Sequence, residues 1–229
     1  MELFFAALEA QIAEKHLLKH PFYQAWSRGE LSQECLKEYA KEYYHHVRAF
    51  PTYLSALHSH TEEMSSRKEI LQNLIEEEAG SPNHPDLWRT FALSLGATEQ
   101  ELDAHRPCLE IQKLITTFRT TCREGSVAEG VAALYAYESQ IPAICVSKID
   151  GLKTHYGLCD SKAWRYFSVH IAADEEHARV ERELLARHVK DTAPVHKAAQ
   201  ETLDNLWNFL SGLCDRFGIR CQMASTTSA

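Results

Sequence analysis

The feature that most constrains this chain is the spacing of its apolar residues. Leu36, Ala40, Tyr43, Val47, Phe50 and Leu54 are separated by alternating steps of four and three. At about 3.6 residues per turn, that rhythm keeps them on one helix face. The same seam runs through Val127, Val131, Leu134, Glu138, Ile141 and Cys145, and again through Ala199, Leu203, Leu206, Leu210, Leu213 and Phe217. Strand-type alternation is nearly absent. Pro51 is predicted to kink its helix rather than end it, because the apolar period continues beyond it. Thr98 with Glu101 and Ser126 with Glu129 have the spacing of capping boxes, in which side chains satisfy the orphan amides of a first turn. Gly29, Gly80, Gly125 and Gly151 read as turn punctuation. The pattern predicts helices near 3–17, 21–28, 32–62, 66–79, 85–95, 99–105, 108–123, 127–149, 161–189 and 194–217. No internal repeat or linker interrupts it. Residues 1–218 therefore read as a single compact all-α helical bundle, with 219–229 as a disordered tail.

Composition narrows the function. Hydrophobic residues make up 45% of the 229, as in a globular protein. No apolar run reaches the roughly 18 residues a membrane span needs. The N-terminal stretch carries Glu2 and Glu9 without a basic leader, which argues against a signal peptide. A net charge of −8 is unsuited to gripping phosphates, so nucleic acid is not an expected partner. Seven cysteines without a CxxC pair suit a reducing cytosol and give no thiolate zinc site. Thirteen histidines are about twice ordinary usage, which directs attention to where they sit.

The informative positions are polar residues in seams that should be apolar. Glu138 interrupts its seam between Leu134 and Ile141, and an ionised carboxylate buried without a partner costs several kcal/mol or more. A cation, a buried Glu–Arg pair or a rotation toward the rim would each relieve it. Glu77 follows Ile70 and Leu74 at i, i+4, i+7, although the run Glu76–Glu78 could equally be a solvated face. His84 comes seven residues later, before Pro85, where a capping role is the plain alternative. His170, Asp174 and His177 stand at i, i+4, i+7 within HIAADEEHARVERELL, on one stripe bordering the face of Phe167, Ile171, Ala178 and Leu185. Glu175, Glu176, Arg179 and Glu181 read as the ordinary polar face of that helix. Neutral imidazole beside carboxylate is a donor set for Zn, Fe or Mn rather than Ca or Mg. Asp174 is short enough to bridge two ions. One shared centre explains all three segments: three carboxylates and three imidazoles suit two metals about 3.5–4 Å apart, with open positions for O₂ or substrate. The ferritin-like pattern, with two Glu-x-x-His motifs, is not present.

Glu77, His84 in GSPNHPDLW, Glu138 in YAYESQIP and His170-x₃-Asp174-x₂-His177 together resemble the haem-oxygenase-like dimetal oxidases, which are related in shape to pyrroloquinoline quinone synthase. KHPFYQAWSRGEL, YAKEYYHHVRAFPTYLSALHS and GVAALYAYESQIP resemble a chlamydial branch of that family over nearly the whole chain. The resemblance implies a haem-oxygenase-like bundle holding two non-haem ions, Fe/Fe or Mn/Fe, that activates O₂ with an external reductant. It implies synthesis of p-aminobenzoate for folate in a self-sacrificing, essentially single-turnover reaction. Tyr23 in PFYQAW would supply the ring, Lys148 in SKIDGL the amine, and Tyr39 would lie near the site. It further implies a homodimer, host death-domain receptors as partners, and a bacterial cytoplasmic protein that can be delivered into a host cell. Two other readings stay open: a metal-free oxidase or thiaminase-like enzyme, which would need a nucleophilic cysteine beside a base, and a pure interaction module on the same bundle.

Overall fold

The computed structural model describes residues 1–219 of the chain. Its helices are α1 (Glu2–Glu14), α2 (Pro21–Ser27), α3 (Gln33–His60), α4 (Met64–Glu78), α5 (His84–Ser94), α6 (Glu99–Ala104), α7 (Leu109–Glu124), α8 (Val127–Glu138), α9 (Ile141–Thr154), α10 (Ser161–His188) and α11 (Thr192–Phe217). A 3₁₀ turn at Leu17–Lys19 separates α1 from α2, where the sequence pattern suggests helix up to residue 17. Among the described residues there is no strand, and no helix is long and apolar enough to cross a membrane. The predicted tail lies, apart from Ile219, outside the described residues.

The long helices form because their apolar periods are sustained and their ends are capped. Ser32 accepts from Cys35 N at the start of α3, and Asp160 accepts from Lys162 N at the start of α10. Both expected capping boxes close, at Thr98/Glu101 and Ser126/Glu129, and a third forms at Asn83/Asp86. Helix α3 continues through Pro51, with Tyr43, Val47, Phe50 and Leu54 buried on either side of it. Trp26, Trp88, Phe118, Phe167 and Phe209 fill the core. Each such side chain contributes about 1.5–3 kcal/mol of burial.

Two local expectations are corrected. The helix predicted at 127–149 is two helices, broken at Ser139–Gln140. Pro142 has no N–H for the carbonyl of Glu138, and its ring would collide with that carbonyl. Gln140 occupies the break: its side-chain Nε2 donates to Ala136 O at 2.6 Å, and its Oε1 accepts from Leu17 N at 2.8 Å. Gly151 marks no turn but lies inside α9, pressed against Trp26.

Helix α10 sits at the centre of the polar interior. It packs against α4, α5, α8 and α9, the helices that carry the remaining polar residues of interest.

Candidate metal centre

Each element delivers its polar residue for a local reason. On α4, Ile70, Asn73 and Glu77 are buried, while Glu76 and Glu78 face outward. The Asn83 cap opens α5 so that His84 is its first residue and is buried. The Pro142 break leaves Glu138 as the last residue of α8, also buried. On α10, His170, Asp174 and His177 are buried along one stripe, and Glu181 extends that stripe by one more turn.

All six residues expected from the sequence converge, in two triads. Glu77, His84 and His170 each offer a donor atom within 4.8 Å of the others, as do Glu138, Asp174 and His177. In the first triad His84 Nδ1 lies 2.9 Å from Glu77 Oε2 and His170 Nε2 lies 3.8 Å from Glu77 Oε1. His170 Nδ1 donates to Tyr166 O at 2.7 Å; a carbonyl only accepts, so Nε2 is left with its lone pair toward Glu77. In the second triad His177 Nδ1 is 3.1 Å from Glu138 Oε1 and 3.2 Å from Asp174 Oδ1, and His177 Nε2 is 2.9 Å from Glu76 Oε2. A small interior cavity is lined by Glu77, His170, Glu138 and Asp174, joining the triads.

The electrostatics are those of a place built for cations. Burial alone would lower His177, but its bonds to Asp174 and Glu138 outweigh that and raise it to about 11. Burial pushes the Asp174 carboxyl up to about 8 against the pull of His177. Glu138 is held below the usual carboxylate range despite its burial, through its contacts with Glu181, His177 and Asn73. Burial drives His170 well below the usual imidazole value, with neighbouring His84 adding to the effect. The protein without metal thus keeps an imidazolium at His177 between the Glu138 carboxylate and the Asp174 carboxyl, in the place a divalent ion would take on releasing that proton. Glu138 Oε2 and Asp174 Oδ2 are buried without a hydrogen-bond donor among the described residues. Such orphaned donor atoms are costly unless an ion satisfies them. The donor set and its orphans fit a pair of transition-metal ions.

A second buried polar region involves the other three residues singled out in the sequence. Lys148 is 4% exposed. Its Nζ donates to Tyr39 Oη at 2.6 Å, and Tyr39 Oη shares a 3.2 Å hydrogen bond with Tyr23 Oη. The amine lies 5.4 Å from the Tyr23 ring centre and 4.8 Å from that of Phe167. Desolvation lowers the Lys148 ammonium to about 7 and raises the Tyr23 and Tyr39 phenols. Tyr39 stacks on Tyr43 at 5.5 Å, and Tyr43 donates to Tyr137 at 2.9 Å. Tyr137 lines the cavity between the triads, so phenols run from the metal centre to Lys148.

Sequence reasoning misses Glu76, Asn73 and Glu181. Glu76 reads as solvated in its acidic run, yet it orients His177. Asn73 donates to Glu138 Oε1 at 3.1 Å. Glu181 reads as part of the polar face of α10, but it is 4% exposed. Its position four residues after His177, on the 170–174–177 stripe, is the available signal.

Comparison with known proteins places the chain in a family. A family model described as an iron-containing redox enzyme, of the haem-oxygenase type, matches residues 37–209. The 4-aminobenzoate synthase of Chlamydia pneumoniae is 50% identical over 206 residues, covering 89% of this chain and 92% of that protein. The 4-aminobenzoate synthase of Chlamydia trachomatis serovar D is 46% identical, covering 93% and 92%. A solved domain of unknown function with a haem-oxygenase-like fold, from Shewanella denitrificans, superposes with a TM-score of 0.80 over 98% of each chain at 16% identity.

Proposed function

The chain belongs to the haem-oxygenase-like family of iron-containing redox enzymes, and from that premise we propose that it is a 4-aminobenzoate synthase that consumes its own side chains. Glu77, His84 and His170 would hold one ion and Glu138, Asp174 and His177 the other, and an Fe/Fe or Mn/Fe pair supplies O₂ activation when bound and reduced. The protein's own groups do the rest. Tyr166 O fixes the His170 tautomer, and Glu76 orients His177 from its far side. Tyr23 is the ring source. Tyr39 bridges it to Lys148, the amine source.

The observation that carries this reading is the state of Lys148. A lysine gives nitrogen only as a neutral amine, and enclosure among aromatic rings pulls its ammonium down to about 7. Its Nζ is one phenol removed from Tyr23. The amine is enclosed in the protein interior, since Tyr23, Trp26, Tyr39 and Phe167 around it are all buried.

Isotopic origin tests the reading. Protein labelled in its tyrosine rings and, separately, in its lysine side-chain nitrogen would be supplied with iron, or manganese and iron, plus a reductant and O₂. The expected result is 4-aminobenzoate carrying each label, at no more than about one per chain. Unlabelled product, or many turnovers per chain, would rule out self-sacrifice.

A further inference from the structure

Beyond the six residues of the two triads, α10 carries a seventh buried group that the proposed chemistry leaves unused. Glu181 lies at i+4 from His177 and i+7 from Asp174, so it continues the His170–Asp174–His177 stripe. Apart from the Glu138 carboxyl, neither of its oxygens has a hydrogen-bond partner among the described residues, and Glu138 Oε2 has none apart from Glu181. The two carboxyl groups are close enough to interact directly. No arginine or lysine is paired with either in an ion pair among the described residues. Two other acids nearby on α10, Glu176 and Glu183, both bind Arg179.

Glu181 also has a particular address. A cleft of about 330 Å³ opens between α4 and α10, lined at one side by Lys68, Gln72 and Glu76. His177, Asn73 and Glu181 form part of its wall. Those three touch the Glu138 side of the centre: Asn73 and His177 both bond Glu138 Oε1. The Glu138–Asp174–His177 triad is therefore the cleft-side one, and Glu181 stands between it and the cleft.

We propose that Glu181 is an additional carboxylate ligand for the cleft-side metal, pairing with Glu138 to take in the cation that arrives through the cleft between α4 and α10. Two buried carboxyl groups that face each other with no cationic side chain between them are satisfied better by an ion than by any group the fold supplies here. Glu138 presents Oε1 to His177 and leaves Oε2 for the shared ion. This inference rests on the two-metal reading of the site.

The test is anaerobic calorimetric titration of metal-free protein with Mn²⁺, for wild type, Glu181→Gln and Glu181→Met. Wild type is expected to take two ions. Both variants are expected to keep the affinity of the Glu77–His84–His170 triad and to bind the second ion at least tenfold more weakly. Thermal melting of the metal-free variants checks that each folds, and Glu181→Gln keeps a hydrogen-bonding group beside Glu138 that Glu181→Met lacks. Two sites of unchanged affinity in the variants would overturn the role of Glu181 while leaving the two-metal reading intact. A wild type that takes only one ion would overturn that reading and this inference with it.

Discussion

At the two triads of the candidate metal centre three carboxylates face three imidazoles, whereas at Lys148 a single amine faces six aromatic rings. Both regions are buried and polar, yet burial does opposite work in them. Around Glu138 the cost of desolvation is offset by hydrogen bonds and by the opposite charge of His177, which is kept protonated. Around Lys148 no carboxylate is bonded to the amine, so desolvation prevails and the charge itself becomes unfavourable. One region is arranged to hold charge and the other to remove it. The proposed reaction, with both a metal pair and a neutral amine, would require the two environments side by side but separate.

The strongest way to break that separation is to remove a ligand. Glu138→Ala should fold, since a buried carboxylate leaves together with its desolvation cost. It should lose the cleft-side ion and bring product below about one hundredth of wild type, an effect of about 2.7 kcal/mol or more on the barrier. Elemental analysis beside a product assay checks both, and full metal with full product would end the assignment of Glu138.

Tyr23→Phe sharpens the comparison from the other side. Both ions should remain bound while product formation stops, because the variant touches only the amine-side region. The lost hydrogen bond to Tyr39 should cost about 1 kcal/mol of stability. Undiminished 4-aminobenzoate would eliminate Tyr23 as the source of the ring.

The two regions also differ in how far the sequence exposes them. The metal centre is written as stripe positions: His170, Asp174 and His177 share one helix face, and Glu138 stands in an otherwise apolar seam. Helical periodicity reports such placements directly. The Lys148 region has no counterpart, since Tyr23, Tyr39 and Lys148 come from α2, α3 and α9 and meet only after packing. Spacing carries no trace of that meeting, and only family resemblance points to it. Proline shows the same limit on a smaller scale. The apolar period runs through both Pro51 and Pro142, yet α3 continues and the α8–α9 segment breaks. What differs at the second is a tertiary partner: Gln140 bonds Leu17, far away in the chain, and holds the break open.

Lys148→Met should show the desolvation cost directly. In the folded protein Lys148 titrates at about 7, against an ordinary lysine value of 10.5 in the unfolded chain. Between those values the unfolded state binds a proton that the native state does not, so wild-type stability rises with pH by about 1.4 kcal/mol per unit from this group. Below about pH 7 both states are protonated and the penalty is constant and largest. The methionine variant should thus be more stable than wild type at pH 7, with the gap narrowing by roughly 2–3 kcal/mol by pH 9. Denaturant melts at the two values measure it. A gap that does not change with pH would mean that the amine keeps its charge among the rings.

The smallest expected effect tests whether the amine-side region depends on position as well as on polarity. A Cβ at Gly151 would lie 2.7 Å from Trp26 Cδ1 and Nε1, and Trp26 is fully buried with no space to withdraw. Trp26 Nε1 donates to Lys148 O at 3.3 Å, so this contact ties α2, the helix of Tyr23, to α9, the helix of Lys148. Gly151→Ala gains up to about 1 kcal/mol of helix propensity but incurs about 1–3 kcal/mol of overpacking, leaving a net loss of about 1 kcal/mol. At that distance Trp26 or one of the two helices must shift to admit the methyl. Metal content should be unchanged, because no ligand sits on either helix, and product yield should fall severalfold. Unaltered yield would show that a neutral amine suffices and that its register against Tyr23 is loose; a fall accompanied by loss of metal would show that the two regions are not mechanically separate.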